Sequence, residues 1–155
     1  MKDKLNIAML GHKRIPSREG GIEIVVEKLS TRMVKLGHQV TCFNRKGHHV
    51  SGSEFDGSQL SEYEGVKLKQ VWTLDKKGLA AMTSSLSAAI KSAFGKYDVV
   101  HFHAEGPCAM LWIPKLFGKR CIATIHGIDW QRAKWGGFAS KYIKFGEKVA
   151  AKYAD

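Results

Sequence analysis

The chain has no cysteine pair, no long apolar run and few acidic residues. Its three cysteines, Cys42, Cys108 and Cys121, are odd in number, far apart and form no CxxC. That excludes a disulfide framework and leaves reduced cytosolic thiols as the expectation. Cys42 and Cys121 fall in strand-like runs, where a small buried side chain is the expected role. No apolar stretch approaches the roughly 20 residues of a membrane span. The start, Met1-Lys2-Asp3-Lys4, leads directly into a strand pattern without the apolar core of a signal peptide. Neither a repeat of solenoid period nor a low-complexity tract is present. Aspartate and glutamate number 14 against 25 lysines and arginines, a net charge of +11. This excess suits an anionic partner (a phosphorylated small molecule, an anionic membrane face or nucleic acid) or serves solubility alone.

What is present is a regular alternation. A length of 155 residues with 44% apolar content suits one compact domain with a proper core. Leu5–Leu10 is predicted as a short buried strand. Ile22, Val25, Val26, Leu29, Met33 and Leu36 then recur at helical spacing until Gly37. His38–Asn44 is a second strand, rich in β-formers. Arg45–Gly65 is polar and predicts a long loop over a sheet edge. Val66–Thr73 alternates as a half-exposed strand, and Leu79, Met82, Leu86, Ala89, Ile90 and Ala93 mark a second helix closed by Gly95. Tyr97–His103 is a buried strand, followed by a short helix begun by Pro107. Arg120–His126 is another strand, and a last helix runs through Phe138, Tyr142, Phe145 and Val149. Apolar strands alternating with helices predict a doubly wound α/β domain, a mostly parallel sheet covered on both faces. Ligands in such sheets bind beyond the carboxyl ends of the strands, near the topological switch.

The first such end reads "GHKRIPSREGGIE", Gly11–Glu23. It lacks the GxGxxG turn of a dinucleotide fold, and the second strand ends Asn44-Arg45-Lys46, without the acidic residue that holds a ribose. It also lacks GxxxxGK[ST], since Ile22 follows Gly21. Gly20-Gly21 nevertheless opens a helix whose first N–H groups and dipole favour an anion. Without Cβ atoms a phosphate can approach that backbone closely, with Arg14 and Arg18 to add charge. A flexible loop ending in a helix cap is the alternative on these residues alone.

Three segments, "IAMLGHKRIPSREGGIEIVVEKLSTRMVKLGHQVTCFNR", "DVVHFHAEGP" and "ATIHGIDWQRAKW", together resemble the N-terminal half of family-4 glycosyltransferases, retaining enzymes of the GT-B fold. The first is similar to the subgroup that includes bacterial rhamnosyltransferases of polysaccharide assembly. The likeness spans essentially all of residues 1–155, in order. It implies an acceptor-side Rossmann-like domain, truncated with respect to relatives whose second domain grips the nucleotide-sugar donor. On that basis a fragment would transfer no sugar by itself.

By the same resemblance, Gly20 and Gly21 lie against the donor diphosphate, and His126 contacts the donor sugar near the reaction centre. A neutral imidazole there would hydrogen-bond a hydroxyl, and an imidazolium would stabilise departing phosphate charge. His101 and His103, two apart on a strand, share a face. No third ligand has metal spacing and the enzyme class generally uses none, so neither metal nor other cofactor is expected. His101 is read as structural and His103 as cleft-lining. Glu105 is assigned to acceptor hydroxyls or to base chemistry, or else to a solvated loop. Asp129 and Arg132, beside Trp130 and Lys134, form the kind of set that recognises carbohydrate.

Lys141, Lys144, Lys148 and Lys152 make a lysine stripe on the last helix, with Phe138, Tyr142, Phe145 and Val149 read as its opposite, apolar face. Such a helix lies on anionic lipid or stands solvated on a packed domain. A lipid-linked or other glycan acceptor would make membrane contact useful, at the cytoplasmic face. A basic nucleic-acid-binding or membrane-binding module is the competing class, but no RRM, KH, helix-turn-helix or OB signature is present and nucleic acid is not expected.

Overall fold

The computed structural model describes residues 4–18, 20–47, 60–76, 78–128, 131 and 136–155. Six strands, β1 (Asn6–Leu10), β2 (Gln39–Arg45), β3 (Glu62–Tyr63), β4 (Val66–Val71), β5 (Val99–His103) and β6 (Arg120–Thr124), form one sheet in the order β3-β4-β2-β1-β5-β6. All neighbours are parallel except β3 with β4. The described residues also form five helices: α1 (Gly21–Lys35), α2 (Leu79–Phe94), α3 (Glu105–Cys108), α4 (Trp112–Leu116) and α5 (Gly137–Tyr153). The expected doubly wound, mostly parallel Rossmann-like sheet is therefore present.

Alternation along the strands builds a core on each face. Ile7, Met9, Val40, Cys42, Val66, Leu68 and Val99 pack with Val26 of α1. Ala8, Leu10, Val100, Phe102 and Cys121 pack with Ala88, Ala89 and Ala93 of α2, Cys108 of α3, and Val149 and Ala150 of α5. The three cysteines are free and buried. α1 ends in a paired-bond cap, Gly37 N–H to Val34 O (2.9 Å) and His38 N–H to Met33 O (3.1 Å). The chain passes from β1 to β2 on one side, then returns through α2 to β5 on the other side of β1. The switch point thus lies at the carboxyl ends of β1 and β5, where a ligand crevice belongs.

Several sequence expectations need correction. Arg45 belongs to β2, and β3 lies inside the stretch assigned to a long loop; two residues paired to a neighbour leave no periodic signal. The helix expected from Pro107 starts at Glu105 and is followed by a second, α4. β6 stops at Thr124, two residues short of His126. The apolar faces of two helices are also partly misplaced: Ala89, Ala93 and Val149 are buried as expected, but their larger neighbours are not. α2 buries Ser84, Ser85, Ala88, Ala89, Ser92 and Ala93 and exposes Leu79, Leu86 and Ile90. α5 buries Ile143, Gly146, Val149 and Ala150, while Phe138 and Phe145 are exposed.

The reason Phe138 and Phe145 face outward is close approach. A Cβ at Gly146 would fall inside the contact distance of the Glu105 carbonyl oxygen, so only glycine lets α5 press on the backbone of α3. Large side chains on that face would hold the helices apart, and they turn outward instead.

Candidate functional site

The carboxyl ends of β1 and β5 touch directly. Gly11, immediately after β1, has φ +106, and a Cβ there would collide with the His103 carbonyl oxygen. Both facts demand glycine. The turn that follows is stapled to β2 by Asn44, whose Oδ1 accepts from Ile15 N–H (3.2 Å) and whose Nδ2 donates to Ile15 O (3.0 Å). The same Oδ1 lies 3.0 Å from His12 Nε2. Arg45 reaches back from the end of β2, donating from Nη2 to Gly11 O at 3.2 Å. Burial lowers its pKa, and Glu23 opposes that shift. The Ile15–Pro16 peptide bond is cis.

The expected anion site is only half open. Gly20 caps α1 and Gly21 is its first residue. A Cβ at Gly21 would meet nothing within 4 Å, whereas one at Gly20 would strike the Glu23 carboxylate. Glu23 folds back over the turn and accepts the Lys13 N–H at 2.9 Å. A glutamate at the third helical position satisfies donors that a ligand would otherwise take. Arg18 pairs with the buried Glu27 at 3.2 Å while its own side chain remains 56% exposed, and Arg14 is buried. Both arginines therefore stand near the turn, but Arg18 is held by the second turn of α1.

At β5 and β6 the chemistry is of another kind. His101, His103 and His126 stand in a row, with ring centroids 4.2 Å apart for the first pair and 5.4 Å for the second. His103 Nδ1 is 3.1 Å from His126 Nε2, and His101 Nε2 is 2.7 Å from Thr124 Oγ1. The strand register puts His103 opposite Thr124, so the row runs from β5 onto the loop after β6. Burial first, then the neighbouring imidazoles, pushes His103 down to about 2. His101 falls to about 4 through burial and His126. His12 also falls to about 4, chiefly through burial.

His103 is thus neutral at physiological pH and fully buried. It contacts the crevice through His126, which is only partly buried. The bond between them requires one of the facing nitrogens to lack a proton, so it orients the His126 ring and couples its tautomer to that of His103. Among the described residues, no group of three His, Cys, Asp or Glu side chains could hold a metal ion.

Glu105 begins α3 directly after the row and is 1% exposed, so it is part of the floor and not a solvated loop group. Ala104, between His103 and Glu105, has φ +74, a conformation that costs a non-glycine residue about 1–3 kcal/mol and is typical of functional turns. Asp129 and Arg132 lie outside the described residues, as do Trp130, Lys134 and Trp135. His12, Asn44 and Arg45 were not singled out from sequence. The one signal for Asn44 and Arg45 was their place at the end of the second strand, where a dinucleotide fold keeps an acid.

Comparison with protein families matches residues 19–155 to a family described as Glycosyltransferase Family 4. No curated protein matches the chain.

Proposed function

The chain belongs to glycosyltransferase family 4, and from that premise we propose that residues 1–155 form the acceptor-side domain of a retaining GT-B enzyme of the rhamnosyltransferase-like subgroup. Its reaction moves a sugar from a nucleotide-sugar to a glycan or lipid-linked acceptor in bacterial polysaccharide assembly, at the cytoplasmic face of the membrane. The bond between the anomeric carbon and the phosphate oxygen breaks, a bond to an acceptor oxygen forms, and the acceptor proton leaves with a base. The diphosphate carries away the electron pair and ends the step with added negative charge.

What supports this reading is that two complementary groups follow carboxyl ends of the same parallel sheet: an open helix start at Gly21, after β1, and an imidazole, His126, after β6, braced by the buried His103. The helix N-terminus stabilises the departing diphosphate. His126, with Nε2 engaged by His103, offers Nδ1 to a hydroxyl of the donor sugar. Arg14 and Arg18 add positive potential around the phosphates. Glu105, with Asp129 and Arg132, belongs to the acceptor side. The chemistry needs neither a metal nor another cofactor, because backbone donors and arginines supply the charge stabilisation.

Titration of the chain with UDP-, GDP- and dTDP-sugars, followed by amide chemical shifts, tests the reading. One of these ligands is expected to shift Gly20, Gly21 and His126 together. Shifts confined to the lysine-lined cavity over β2 and β4, at Lys67 and Lys69, or none at millimolar ligand, would refute it.

A further inference from the structure

Helix α5 carries a face that its packing leaves unused. Positions 138, 141, 145, 148 and 152 recur every three or four residues, so Phe138, Lys141, Phe145, Lys148 and Lys152 form one stripe. All five are exposed, Phe138 at 75% and Phe145 at 53%. The helix is anchored from its other side by Ile143, Gly146, Val149 and Ala150. Its single carboxylate, Glu147, projects from a different face of the helix. The stripe is about 21 Å long at the helical rise.

Two water-exposed phenyl rings alternating with three ammonium groups suit a medium that is apolar inside and anionic at its surface. A duplex or an acidic peptide would engage the lysines and leave the rings in water. A bilayer takes both, with rings at the acyl boundary and lysines on lipid phosphates. We propose that this stripe docks the protein on an anionic bilayer, with α5 lying in the plane of the interface. Among the described residues no helix is long and apolar enough to cross a membrane, so the contact is peripheral. Because Gly146 packs on Glu105, the inner side of α5 faces the floor of the crevice. The docked bilayer then lies about one helix diameter, roughly 10 Å, from the site. Delivery of a lipid-carried acceptor rests on the function proposed above; the docking itself does not.

Co-sedimentation of the chain with vesicles of phosphatidylcholine and phosphatidylglycerol at low salt is the test. Wild type is expected to sediment with these vesicles and far less with phosphatidylcholine alone. K141Q/K148Q/K152Q is expected to lower partitioning about a hundredfold, and F138S/F145S at least about tenfold. All five side chains are exposed, and circular dichroism verifies that the variants fold. An environment-sensitive fluorophore attached through Phe145→Cys is expected to shift to the blue on anionic vesicles, and one attached through Lys35→Cys on α1 to stay unchanged.

Failure of wild type to sediment would overturn the proposal. So would loss with the lysine variant but not the phenylalanine variant, the mark of charge-only binding such as retention on duplex DNA. Vesicle binding without any response to sugar nucleotides would refute the proposed function and leave the docking surface standing. The reverse result would remove the surface alone.

Discussion

The two walls of the crevice are built on opposite principles. The wall after β1 is made of backbone and charge: Gly20 and Gly21 at the head of α1, with Glu23, Arg18, Glu27 and Arg45 around them. Glu23 and Glu27 are buried there, while the Arg18 side chain stays 56% exposed. The wall after β5 is a row of imidazoles, of which His101 and His103 are buried and kept neutral by that burial. The first can meet negative charge with the N–H groups at the head of α1. The second has only one arrangement, because each ring is held by the next and His101 by Thr124. A charged wall and a largely neutral one at neighbouring strand ends suit a reaction in which a diphosphate leaves and a sugar must stay in place.

The comparison breaks most completely where the walls are joined. Gly11→Ala forces a Cβ into the His103 carbonyl at a positive φ, and a loss of about 3–5 kcal/mol in urea unfolding is expected. A loss below about 1 kcal/mol would mean that the two ends do not touch.

Acid should act on the imidazole wall next. His12, His101 and His103 have folded pKa values below the ordinary 6.5, so the unfolded chain binds more protons in that interval. Stability is then full above pH 6.5 and falls as pH drops toward about 4, and for His103 toward about 2. Each histidine contributes up to about 1.4 kcal/mol per pH unit. Urea midpoints that stay level between pH 7 and pH 5 would contradict a dry, neutral row.

Two smaller effects sharpen the contrast on the charged side. Gly21→Ala places its methyl in open space, so stability should change by less than about 1 kcal/mol. Sugar-nucleotide affinity should nevertheless drop about tenfold, as the methyl occupies the phosphate approach. Calorimetric titration separates the two, and unchanged affinity would place the ligand elsewhere. Smallest is Glu23→Gln, which keeps an acceptor for Lys13 N–H but removes a negative charge from the mouth of α1. Affinity for the same ligand should rise about threefold; a fall would show that Glu23 assists binding.

Much of the sheet was legible because its strands are apolar runs closed by turn residues: Ile7–Leu10 and Val99–Phe102 are buried on both faces, as their composition says. Helix faces were misread where packing depends on smallness. Phe138, Phe145, Leu86 and Ile90 look like core by hydrophobicity, yet α2 and α5 present serine, alanine and glycine inward. Periodicity detects the helix, but which stripe faces inward depends on how near the neighbouring backbone comes. Part of the site was legible for a different reason. Gly20, Gly21 and His126 sit in recognisable segments, whereas the link from His126 through His103 to His101 needs the β5–β6 register, which no local pattern contains. His103 and Glu105 were named from their position at a strand end, but their burial follows from tertiary packing, His103 among His101 and His126 and Glu105 under Gly146 of α5.

That closure has a mechanical side. At Gly146 the outer helix rests on the peptide bond of Glu105 with no side chain between them, so there is no soft layer to absorb a displacement. A load applied along α5 therefore bears directly on the backbone of the pocket floor at Glu105.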